Sequence, residues 1–74
     1  MQHTSPAVLS IMVNGEERSI AEGETIAGLI AKLNLVPERL AVELDRRIVK
    51  RAAWNSTILS QGSQLEIVQF VGGG

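Results

Sequence analysis

"VLSIMVNGEERSI", residues 8–20, decides how this chain folds. Leu9, Ile11 and Val13 alternate with their neighbours, the period-2 pattern of a strand with one apolar face. Asn14-Gly15 follows at once. Both residues tolerate the positive φ of a two-residue type I′ turn, so the pair between apolar runs predicts an antiparallel hairpin. Its arms span about 8–13 and 16–21, and Ile20 is the surest core residue of the second.

Beyond the hairpin, "AEGE" (21–24) breaks the alternation and "TIAGLIAKL" (25–33) begins. Ile26, Leu29, Ile30 and Leu33 fall at i, i+3, i+4 and i+7, one stripe of a helix of about ten residues. Thr25 is the expected N-cap. Gly28 sits where a capping-box Glu would help, and within a helix it costs about 1 kcal/mol relative to Ala. Asn34 closes the helix in a left-handed conformation, and Pro37 keeps it from resuming. "LAVEL" (40–44) then alternates again, Asp45-Arg46 turns the chain, and a short strand runs near Arg47–Val49. "KRAAWNSTILSQGSQ" (50–64) has no period and carries Trp54 and Leu59. After a turn at Gly62-Ser63 comes a last strand, "LEIVQF" (65–70), with Leu65 and Ile67 facing inward.

One helix cannot cover both faces of such a sheet. The class is therefore α+β in two layers, with one sheet face against the helix and the other in water. By analogy of topology, a β-grasp arrangement of four or five strands places the final strand centrally, beside the first. The expected division is a disordered polar leader at 1–7, a β-grasp domain at 8–71 and a flexible glycine tail at 72–74.

Composition narrows the function. The 74 residues carry a net charge of −1, with 45% hydrophobic and 20% charged residues. This is an ordinary globular balance with no basic field for a nucleic acid or an anionic membrane. "MQHTSPA" (1–7) has no apolar core of a signal peptide, and no apolar run reaches the ~18 residues of a membrane span. A cytoplasmic location is the expectation. There are no cysteines, so thiol chemistry and thiolate metal sites are excluded on this chain. His3 has no clustered ligands, and no metal site is expected. The eight acidic residues show no spacing that opposes a general acid to a base, and Glu16-Glu17 read as solubilising.

The chain closes on "QFVGGG" (69–74). Glycine gives up packing for slimness and backbone freedom, which is useful where an end must pass through a narrow space. "VNGEER" (13–18), "AVELDRRIVKRAAW" (41–54) and "LEIVQFVGGG" (65–74) together resemble the ThiS family of sulfur carriers, within the ubiquitin-like superfamily. The resemblance covers about residues 9–74. Asp45-Arg46 departs from it, since the family commonly has Asn-Gly there. The small subunit of molybdopterin synthase shares the fold and terminal glycines but usually lacks the middle block.

The resemblance implies a protein cosubstrate rather than an enzyme. The carboxylate of Gly74 is adenylated by a ThiF-type activating partner, which uses ATP and Mg; this chain binds no cofactor itself. A sulfur donor such as a cysteine desulfurase system then displaces AMP and leaves a thiocarboxylate. A ThiG-type thiazole synthase receives the sulfur for the thiazole ring of thiamin. Gly72 and Gly73 thread the end into the activating site, with a reach of roughly 3.3–3.6 Å per extended residue.

Strand alternation adds a docking surface. If Leu65 and Ile67 face the helix, Val68 and Phe70 face water beside the reactive end, and with Val71 they are the expected partner-binding residues. Trp54 reads as a core or rim residue, and "DRRIVKR" (45–51) as solvated charge around a turn. A ubiquitin-like modifier and a chemistry-free β-grasp interaction module are the competing functions.

Overall fold

A computed structural model describes residues 7–71. The expectations for the leader before Ala7 and for the three terminal glycines lie outside the described residues. The hairpin forms as read, with β1 (Val8–Val13) and β2 (Glu16–Ala21) in register from Val8↔Ala21 to Val13↔Glu16. Asn14 and Gly15 take φ of 51° and 82°, the pair of positive angles that a type I′ turn requires.

Helix α1 spans Ile26–Lys32, seven residues rather than about ten. The apolar stripe runs on to Leu33, but Leu33 is already the C-cap and Asn34 turns left-handed at φ 59°. An isolated helix this short is unstable in water. It is held by its buried face, Ile26, Leu29 and Ile30, each worth about 1.5–3 kcal/mol on full burial.

Its first turn is sealed by the aperiodic stretch. Ile26 N–H donates to the Thr57 carbonyl and Ala27 N–H to that of Trp54, both at 3.1 Å. Gly28 N–H donates to Thr25 Oγ1 at 3.0 Å, and Leu29 N–H to the Thr25 carbonyl. The orphan amides of the first three helical residues, Ile26, Ala27 and Gly28, are therefore satisfied inside the protein, and the Leu29 bond starts the regular helical ladder. Gly28 has a steric reason too. A Cβ there would strike Glu24 Oε1, and Glu24 is held nearly buried by an ion pair with Lys32 at 2.6 Å, a contact of charges rather than an aligned hydrogen bond.

Two short 3-10 turns, Pro37–Arg39 and Arg51–Ala53, went unread in the sequence. Strand β3 (Leu40–Leu44) pairs with β4 (Arg47–Ile48) across Asp45-Arg46, and both turn residues have positive φ. Strand β5 (Gln64–Gln69) completes a five-stranded sheet of order β2-β1-β5-β3-β4. It runs parallel to β1 and antiparallel to β3. This is the β-grasp arrangement, with the last strand central. The core lies between α1 and one sheet face and includes Ile11, Ile20, Val42, Leu59 and Leu65. Trp54 joins it, buried, and its Nε1 donates to the Val49 carbonyl at 2.8 Å. The core reading of Trp54 holds.

Candidate functional site: the end of the central strand

Strand β5 carries the chain out of the middle of the sheet. Leu65 is buried on the helix side and Ile67 is partly buried beside it. Alternation puts Glu66, Val68 and Phe70 on the face without a helix. Val68 is 53% exposed, Phe70 59% and Val71 83%. The expected docking residues therefore stand in solvent at the exit of the strand. Gly72, Gly73 and Gly74 lie outside the described residues.

Register fills in the rest of that face. Val68 stands opposite Ala41, Glu66 opposite Glu43, and Glu43 opposite Ile48. An apolar row thus leads into two facing carboxylates, with the exposed Ile48 at the edge. The main chain stays tied to β3 up to Phe70, whose N–H donates to the Arg39 carbonyl at 2.7 Å. Phe70 therefore projects from a fixed backbone position and not from a loose end.

Two side chains from turns grip β5. Asn14 Oδ1 accepts from Ile67 N–H at 2.7 Å, and Asn14 Nδ2 donates to the Ile67 carbonyl at 3.2 Å. Asp45 Oδ1 accepts from Gln64 N–H at 3.0 Å. The sequence marks Asn14 and Asp45 as turn residues and does not disclose these bonds. The only signal was the choice of Asn and Asp where a turn alone would accept Gly.

Among the described residues no group of three or more His, Cys, Asp or Glu could hold a metal ion. No helix there is long and apolar enough to cross a membrane. With its amides already satisfied, the start of α1 offers no anion site.

Residues 11–74 match the ThiS family. The chain belongs to that family. The ThiS match takes in most of the fold and the glycines at its end. Curated relatives include a thiazole synthase of Magnetococcus marinus, 36% identical over 66 residues that make up 89% of this chain. The chain spans only 20% of the length of that protein. The sulfur carrier protein ThiS of Escherichia coli is 27% identical over 66 residues and is matched over 100% of its length. A crystal structure of the thiamine biosynthesis protein ThiS from Geobacter metallireducens superposes with a TM-score of 0.77 at 29% identity, covering 89% of this chain and all of that one. Membership of this sulfur-carrier family in thiamin biosynthesis agrees with the resemblance read from the sequence, and the β-grasp topology agrees with its solved relative.

Proposed function

We propose that this protein carries sulfur on its terminal carboxylate and delivers it for the thiazole ring of thiamin. The observation that carries the reading is the family match itself, which runs through Gly74. A carboxylate is a poor electrophile at neutral pH because its charge repels nucleophiles. Adenylation by a ThiF-type partner, with ATP and Mg, gives the carbonyl carbon an AMP leaving group. The outer sulfur of a persulfide from a donor such as a cysteine desulfurase system displaces AMP to give an acyl disulfide. A thiol then cleaves its S–S bond, becoming oxidised to a disulfide and leaving the thiocarboxylate. The chain acts as cosubstrate and binds no cofactor in these steps. Its lack of cysteine suits the scheme, since sulfur has no side-chain thiol on which to ride.

The chain's own contribution is presentation. Val68 and Phe70 offer an apolar hold beside the end, Val71 extends it, and glycines at 72–74 keep the terminus slim enough for a narrow site. The acceptor in this reading is a ThiG-type thiazole synthase. Support comes from relatives named thiazole synthase that include a stretch similar to this whole domain, so carrier and acceptor would work at close quarters.

The test uses the missing cysteines. After incubation with a cognate activating enzyme, ATP and a sulfur source, a thiol-directed alkylating reagent should label the protein once, on its C-terminal peptide. Before charging it should not label. Deleting Gly74, or adding a residue after it, should abolish labelling while the fold persists. Labelling of either variant at the parent level, or none of the parent, overturns the reading. An adduct on lysines of other proteins would point instead to a ubiquitin-like modifier.

A further inference from the structure

We infer that Asn14 is a positioning residue for the reactive end, clamping the last strand where its neighbour β1 has already turned away. This rests on the reading of Gly74 given above. On the β1 side of β5 the ladder is short. Met12 N–H donates to the Ser63 carbonyl at 2.9 Å and Asn14 N–H to that of Leu65 at 2.8 Å. The chain then reverses at Asn14-Gly15 into β2, and β1 can pair no further. By the alternation of a strand, Ile67 is the next residue whose N–H and C=O point to that side. Left alone, both would face a vacated edge.

The Asn14 side chain occupies that edge. Its amide takes the Ile67 N–H at 2.7 Å and gives its own N–H to the Ile67 carbonyl at 3.2 Å. A primary amide has the donor and acceptor of a peptide group, so it stands in for the missing strand. On the opposite edge β3 holds β5 as far as the Gln69↔Leu40 pair and the Phe70 N–H bond to Arg39. Asn14 thus makes the grip two-sided through Ile67. The turn does not explain the residue type. Asn, Asp and Gly are all at ease at φ 51°, yet only Asn supplies both hydrogen-bonding partners.

The consequence for function is one of aim. Gly74 lies seven positions beyond Ile67, a reach of at most about 25 Å. A root less firmly held on one side widens the range of positions from which the terminal carboxylate is presented, and misplacement of reacting atoms by about 1 Å can cost up to a hundredfold in rate.

The experiment compares Asn14→Gly with Asp45→Gly. Each removes a turn side chain that bonds β5, and each leaves a left-handed position that Gly fits. One acts near the reactive end and the other at the start of the strand. Charging by a cognate adenylating enzyme is followed by alkylation at Gly74, with amide exchange at Ile67 measured on the same samples. Asn14→Gly should lower kcat roughly tenfold, as two lost hydrogen bonds would allow, with KM for the carrier within about twofold because Val68 and Phe70 are untouched. Ile67 exchange should quicken. Asp45→Gly should keep the parent kcat, and Asn14→Asp, which restores only the acceptor, should recover part of it. Parent-level charging by Asn14→Gly overturns the proposal. So does an equal slowing by Asp45→Gly, which would mean that only general stability matters. If the parent itself is never charged, the Gly74 reading fails and this one with it. Quickened exchange at Ile67 would then still show a clamp, with no reaction to serve.

Discussion

Glu43 and Glu66 stand directly opposite each other in the β3–β5 pair, on the sheet face that carries no helix. Like charges so placed oppose pairing. The ion pair found among the described residues joins Lys32 to Glu24 and relieves neither of them. Glu66→Gln should therefore raise stability modestly, by about 0.2–1 kcal/mol at low salt. The gain should shrink in 1 M salt, where screening acts within about 3 Å. Urea unfolding of both proteins at two salt concentrations checks this. A gain that ignores salt would mean that the carboxylates do not repel.

Phe70→Ala and Trp54→Ala should separate a surface aromatic from a core one. Phe70 is largely exposed and Trp54 is buried with its Nε1 bonded. The first change should leave stability within about ±0.5 kcal/mol, and the second should cost about 3–5 kcal/mol. Denaturant midpoints decide. Binding to an activating or acceptor enzyme should weaken for Phe70→Ala despite its intact fold. A large stability loss at Phe70 would reverse the assignment of faces.

Arg46 is strained by its backbone, with φ 71° at the second turn position between β3 and β4. A left-handed conformation costs an L-residue about 1–2 kcal/mol, and Gly avoids it while losing more entropy on folding. Arg46→Gly should give a net gain of about 0.5–1 kcal/mol, read as a higher urea midpoint at unchanged slope. Asp45 stays in place because its carboxylate holds Gln64. No gain would mean that the Arg46 side chain makes compensating contacts.

The parts of this fold legible in the sequence are those whose cause is local. Asn14-Gly15 declares its turn, alternation declares β1 and β5, and the stripe from Ile26 to Leu33 declares the helix. The helix is overcounted from the sequence because the apolar stripe runs on through Leu33, which caps the helix rather than belonging to it. Pro37–Arg39 and Arg51–Ala53 are too short to have a period at all. The central place of β5 came by analogy of topology, since alternation says which face a residue takes and nothing about its neighbours.

The candidate site divides in the same way. The exposure of Val68 and Phe70 follows from strand parity and was readable. The bonds from Asn14 to Ile67 join residues 53 apart, and the facing of Glu43 and Glu66 depends on register. Such relations exist only once the chain has closed. The glycines were visible as a composition, but their chemistry entered through resemblance to a family.

The parallel course of β1 and β5 has a mechanical consequence. Val8 opens one strand and Gln69 closes the other. Tension between the two ends of the chain is therefore directed along both strands, and their cross-links are loaded together instead of one at a time. The antiparallel bonds to β3 share that load from the other side. Tugging on the tail puts the centre of the sheet in shear rather than peeling it. Force along the exit of β5 therefore meets the pairing on both of its sides together, and the strand does not unravel from the point that is pulled.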